Sequence, residues 1–155
     1  MTADQPPGIP PLASLTSRFL ARVIDTVVLL AIDLLLSTAV AGVSNPGDFS
    51  YNQDVLLSAL VFVLYFAYEG AMISARGQTL GMMARKIRVV RLADGAVPDR
   101  AGWTRAAVYA LPGALFSIGI GPLYWIVNAL WCTWDRPYRQ CLHDKAAKTV
   151  VVTAR

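Results

Sequence analysis

The residues best placed to do chemistry lie in SRFLARVIDTVVLLAIDLLLSTAV, Ser17 to Val40, an apolar stretch that nevertheless carries Arg18, Arg22, Asp25 and Asp33. An acid at the centre of a bilayer helix costs about 2.5–3.5 kcal/mol on insertion scales, and ionisable groups inside membranes mark ion, proton or solute paths. Glu69, toward the end of a second apolar run, is a third such acid. Arg18 and Asp25, seven residues apart, project within about 20° of each other on an ideal helix. Arg22 and Asp25, three apart, are surface neighbours. The expected picture puts Asp25 a turn inside the cytoplasmic boundary, reached by a guanidinium. Asp33 then lies about 12 Å deeper by helical rise, with no base on its own helix. Asp25, Asp33 and Glu69 are the candidate ion or proton path. The competing reading makes Asp25 and its arginines a fixing point for the first helix, and Asp33 a neutral hydrogen-bonding acid.

Other chemistries find less support. The sole histidine, His143, lies in the basic C-terminal region, and no nucleophile–base–orienter set accompanies it. Cys132 and Cys141 are the only cysteines, too few for a disulfide framework, and a metal site around Cys141 and His143 lacks further ligands. Gly77-Gln78-Thr79-Leu80-Gly81 is too short for a phosphate loop and has no following Lys-Ser or Lys-Thr. The expectation is therefore no enzyme, no cofactor and no metal.

The elements that must hold these residues are membrane elements. Of 155 residues 55% are hydrophobic and only 15% charged, where a soluble domain has about a quarter charged. The net charge of +4 does not point to nucleic acid, because the bases flank apolar runs instead of forming an aromatic-interleaved patch. Residues 1–16, rich in proline, read as a flexible cytoplasmic tail, and 17–153 as one membrane domain. A first span covers about Arg22 to Val43. A polar turn with Asn45-Pro46-Gly47 follows over Gly42 to Asp54, then a second span from Val55 to about Ala75.

Beyond Arg76 the character changes. Leu80, Met83 and Ile87 share one helical face and suggest a short interfacial helix. Arg88–Leu92 and Thr149–Thr153 are the β-branched runs, and each needs a partner, so they are expected to pair. Trp103 to Trp134 is too long for one span and short for two, with a natural break at Ser117–Pro122. Two of the fourteen Lys and Arg residues precede the first span, seven lie in Arg76–Arg105 and five follow Trp134. Four membrane segments put all fourteen on one face, as the positive-inside rule favours. The expected fold is an all-α membrane protein of four helical segments, the last two short or re-entrant. A two-stranded cytoplasmic β element completes it, and both termini are cytoplasmic.

Three blocks together resemble the RDD family of bacterial membrane proteins, named for an arginine and two aspartates. They are Arg18 to Asp25; Gly77 to Gly81 running on to Ile87-Arg88-Val89-Val90; and Leu142-His143-Asp144-Lys145 leading to Thr149-Val150-Val151. The resemblance covers about residues 15 to 153 and implies that Arg18, Asp25 and Asp144 are the family's motif residues. It also singles out the loop motif of Gly77, Gln78, Thr79 and Gly81. Relatives often place a base directly after that block, whereas this chain has Met82 and Met83 and reaches its bases at Arg85 and Lys86. The family's usual assignment is transport.

Two functional expectations stand. One is a bacterial inner (plasma) membrane protein that moves ions or small solutes through buried acids, with a path formed between copies in a homo-oligomer. The other is a non-transporting scaffold that binds a protein partner through its basic cytoplasmic face. In both, the lipid bilayer is the surrounding partner and nucleic acid is not one.

Overall fold

The computed structural model describes residues 9–41 and 51–154. Two long helices, α1 (Leu15–Ala41) and α2 (Tyr51–Arg76), are followed by a short helix α3 (Leu80–Ala84) and strand β1 (Ile87–Arg91). Helix α4 (Arg100–Ala110) then passes directly into a 3-10 segment, Leu111–Ile118, and α5 (Ile120–Trp134). A short helix α6 (Leu142–Ala146) and strand β2 (Thr149–Thr153) complete the chain.

The long helices are apolar outside and polar within. On α1 the buried positions Arg18, Ala21, Asp25 and Leu29 form one stripe at helical spacing, while Phe19, Val23, Val27, Leu30, Leu34 and Leu35 are exposed. On α2, Tyr65, Glu69 and Ile73 are buried, and Leu56, Leu60, Val63 and Leu64 face outward. Such an exterior suits hydrocarbon, where charges are driven to the interior. Among the described residues one helix, Val55–Arg76, is long and apolar enough to cross a membrane by length and composition. Helix α1 has 27 residues but carries four charges. The expected third and fourth segments are an 11-residue helix, a 3-10 stretch and a 15-residue helix. Each is shorter than the roughly 20 residues of an ordinary span. The chain turns at Gly119, where φ is +80°, inside the break expected at Ser117–Pro122.

Helix α2 packs along α4 and the 3-10 segment, α1 lies on α2 and α3, and α5 contacts the 3-10 segment and α6. The two strands pair antiparallel, with Ile87 opposite Thr153 and Arg91 opposite Thr149. That is the expected pairing, begun one residue earlier on β1. A core of Ala13, Ala21, Ile73, Met82, Ile87, Val89 and Val151 joins α1, α2 and α3 to the sheet. A second core, Leu29, Val61, Phe62, Tyr65 and Ala110, lies between the helices.

Three expectations about boundaries need correction. The tail was expected to end at residue 16, yet the chain is engaged from Pro11: the Thr153 amide donates to Pro11 O, Leu12 bridges Val152, and the Ala13 amide donates to Val151 O. Prolines 10 and 11 suit this extended edge, because they spare a donor that an edge does not need. Residues 1–8 lie outside the described residues, as does the expected turn at Asn45-Pro46-Gly47. Helix α2 begins at Tyr51, so the polar residues Asn52 to Asp54 are its first turn and not loop. The interfacial helix is only five residues long: Ile87 belongs to β1, Gly81 and Met82 are the buried positions, and Leu80 is exposed.

Candidate functional site

Two buried polar clusters sit side by side where α1, α2 and α4 meet the short helices. The first is built around Asp25, which is fully buried. Its Oδ1 accepts from Tyr68 Oη at 3.1 Å and the Gly81 amide at 2.9 Å, and its Oδ2 accepts from Thr79 Oγ1 at 2.6 Å. Tyr68 Oη in turn accepts from the Leu80 amide at 3.0 Å, and Thr79 Oγ1 from the Met82 amide at 3.3 Å. The orphan amides of the first turn of α3 are thereby satisfied by groups from α1, α2 and its own N-cap.

The loop motif makes this docking fit. A Cβ on Gly81 would lie 2.1 Å from Ala21 O, so only glycine lets α3 approach α1 this closely. Gly77 has φ +70°, and a Cβ there would lie 2.5 Å from Val89 O; its own carbonyl accepts from the Val89 amide at 2.7 Å. Gln78 Nε2 donates to Ile87 O at 2.8 Å. The motif joins α2, α3 and β1. It is a docking device.

The expected partnership of Asp25 with the arginines is not what the structure contains. Arg18 donates from Nη1 to Arg139 O at 2.5 Å and from Nη2 to Val151 O at 2.9 Å. Arg22 donates from Nη2 to Glu69 Oε1 at 2.9 Å, and its guanidinium lies 3.7 Å from the Tyr109 ring centroid. Helical proximity brought the right face inward but did not choose partners, because better acceptors come from elsewhere in the chain.

The second cluster centres on Arg105, which is 1% exposed. Its Nη1 donates to Glu69 Oε1 at 2.8 Å, its Nε to Asp144 Oδ1 at 2.8 Å, and its Nη2 points at His143 Nε2 at 2.9 Å. Arg22 Nη2 also faces His143 Nε2, at 3.4 Å. Guanidinium nitrogens only donate, so Nε2 must be the acceptor and the proton sits on Nδ1. Nδ1 lies 2.9 Å from Asn128 Oδ1, which accepts it. Burial drives the imidazole pKa well below its ordinary value; Asp144 opposes this, and the three arginines around it add to it. His143 is neutral. Burial disfavours the charged form of Asp144, but the guanidiniums of Arg105 and Arg18 outweigh it and hold the carboxyl below the usual range. Asp144 Oδ2 also accepts from the Cys141 amide at 3.2 Å, closing a capping box on α6.

Cys141, His143 and Asp144 have potential ligand atoms within 4.8 Å of one another. They do not fit a resident cation in this arrangement. His143 Nε2 and Asp144 Oδ1 are already directed at Arg105, and a dication there would face its guanidinium at close range.

Of the expected acids, Asp25 and Glu69 are fully buried, whereas Asp33 is exposed on the outer face of α1. Eight residues separate Asp33 from Asp25, about 80° around the helix, which takes it off the buried stripe. The three do not form one continuous path. Arg105, Asn128 and the central place of His143 escaped sequence reasoning. The available signals were an asparagine inside an apolar run and a histidine directly before Asp144.

A cavity of about 590 Å³ opens beside this cluster, lined from α1 by Arg18 and Arg22 and from α5 by Trp125, Asn128 and Leu130.

The family model described as RDD family matches residues 12–148. The chain belongs to the RDD family. No curated protein and no solved structure is significantly similar to it. With RDD membership goes membrane association, in keeping with the apolar exterior of α2. The residues read as the RDD arginine and aspartates, Arg18, Asp25 and Asp144, do not share one ion pair here. Arg18 holds the carbonyls of Arg139 and Val151, Asp25 holds α3, and Asp144 holds Arg105.

Proposed function

We propose that this RDD-family chain is an inner (plasma) membrane protein that moves an ion or small solute, with the Glu69–Arg105–His143–Asp144 cluster as its working centre. The observation that carries the reading is the burial of this whole set, each 3% exposed or less, in a chain whose long helices are apolar outside. Groups so costly to bury in a membrane protein are usually retained for a path or site. In this reading the chain crosses four times, with both termini cytoplasmic. The α4 to α5 stretch forms the short pair, and a path forms between copies in a homo-oligomer. The protein is no enzyme and its centre needs no cofactor.

Reconstitution into liposomes, with ion flux and internal pH as readouts, tests it. Wild type should give flux above empty vesicles. Glu69→Gln, which keeps an acceptor for Arg105 but removes the charge, should abolish most of it in protein that still reconstitutes. Flux equal to empty vesicles for wild type would sink the proposal.

A scaffold reading draws on a different observation: all three donor nitrogens of Arg105 have partners, as a rigid latch requires. On that reading Glu69→Gln loses partner capture only together with assembly.

A further inference from the structure

The cavity between α1 and α5 holds chemistry that the fold itself does not use. Three of its lining residues carry a buried hydrogen-bond donor with no partner among the described residues: Arg18 Nε, Arg22 Nη1 and Asn128 Nδ2. Arg18 is 9% exposed and Asn128 1%. A buried donor left without an acceptor is costly, and more so when it is charged. Three on one cavity mark a place for an acceptor. The charge balance agrees. Arg18, Arg22 and Arg105 face Asp144 on the lining and Glu69 behind it, which leaves a surplus of positive charge.

The remaining wall is apolar. Trp125, Ile126 and Leu130 supply it from α5, and Phe19 and Ile126 at its edge are 66% and 58% exposed. A small soluble anion would waste this surface, and a neutral lipid would leave the donors unmade. A zwitterionic headgroup would need an acid for its amine, and the lining acid Asp144 is engaged by Arg105 and the Cys141 amide. The volume is within the roughly 300–1,000 Å³ of ordinary ligand pockets.

We propose that this cavity binds an anionic phospholipid. Its phosphate accepts from Arg18 Nε, Arg22 Nη1 and Asn128 Nδ2, and an acyl chain lies along Trp125, Ile126 and Leu130. Basic pockets between membrane helices take acidic headgroups by the same physics. The assignment concerns what occupies the cavity, and it stands whether or not a solute crosses the membrane.

The test uses the full chain, purified and delipidated in neutral detergent, then offered phosphatidylglycerol, phosphatidylcholine or inorganic phosphate. Retained lipid is read by native mass spectrometry and stabilisation by thermal shift. Phosphatidylglycerol should be retained and raise the melting point, with phosphatidylcholine at least about tenfold weaker and phosphate alone ineffective. Arg22→Gln should weaken retention about tenfold by removing a charged donor. Ala129→Phe should do the same by filling the cavity from its lining without removing any polar contact. Should Arg22→Gln fail to fold, Ala129→Phe decides alone. Equal retention of the two lipids, an equal shift with phosphate alone, or folded Ala129→Phe that retains phosphatidylglycerol like wild type overturns the proposal.

Discussion

Both oxygens of a buried carboxylate need donors, and at Asp25 three converge without any guanidinium among them. Asp25→Asn would turn an amide NH2 toward groups that already donate to this position. It should destabilise the protein by about 1.5–3 kcal/mol, the worth of a hydrogen bond to a charged group. Thermal unfolding in detergent and membrane yield check this; a variant as stable as wild type would show that Asp25 does not dock α3. His143 makes a separate prediction. Its folded pKa lies below its unfolded one, so unfolding takes up a proton below about pH 6.5, and stability present above that pH is lost as pH falls. As the chain's single histidine, it should give a slope of up to about 1.4 kcal/mol per pH unit, absent in His143→Gln. Melting points measured from pH 7.5 to 5 decide it. The value of Asp25 was legible in the sequence because an acid in an apolar stripe is conspicuous. Its partners were not, since Tyr68, Thr79 and Gly81 lie 43, 54 and 56 residues away. Arg105 hid among bases that read as orientation signals.

Among the elements, α3 shows how a helix too short to be stable alone is held. Its propensity contributes little at five residues. Its amides are satisfied by α1 and α2, and Gly81 sets its distance from α1. Gly81→Ala should therefore cost about 1–3 kcal/mol by overpacking, whereas Leu80→Ala, at a 48% exposed position, should cost well under that. Unfolding of the two variants side by side tests the difference; similar losses would mean that the close approach is not needed. The strand pair was readable from composition, because Arg88–Leu92 and Thr149–Thr153 are β-branched runs in need of partners, and the pairing found is shifted by one residue on β1. The interfacial helix was misread from the same stretch. A spacing of three and seven fits Leu80, Met83 and Ile87, but the chain leaves the helix at Arg85 and the pattern ends there.

For the whole molecule, the lopsided distribution of fourteen bases is the topological signal, and side-chain contacts add none of their own. In the four-crossing reading a Thr153→Cys variant is labelled from the cytoplasmic side and a Gly119→Cys variant from outside. Impermeant thiol reagents applied to oriented vesicles check both. Labelling of Thr153→Cys and Gly119→Cys from the same side would rule that topology out.

The hydrogen bonds of Arg18 to Arg139 O and Val151 O, and of Arg105 to Asp144, have an implication in time. In the growing chain α1 precedes β2, so the Arg18 guanidinium waits for acceptors 121 and 133 residues downstream. Until then the nascent chain carries charges that the finished protein hides. Strand β2 therefore closes the packing of α1, and a chain cut before Thr149 leaves the Arg18 guanidinium short of one of its acceptors.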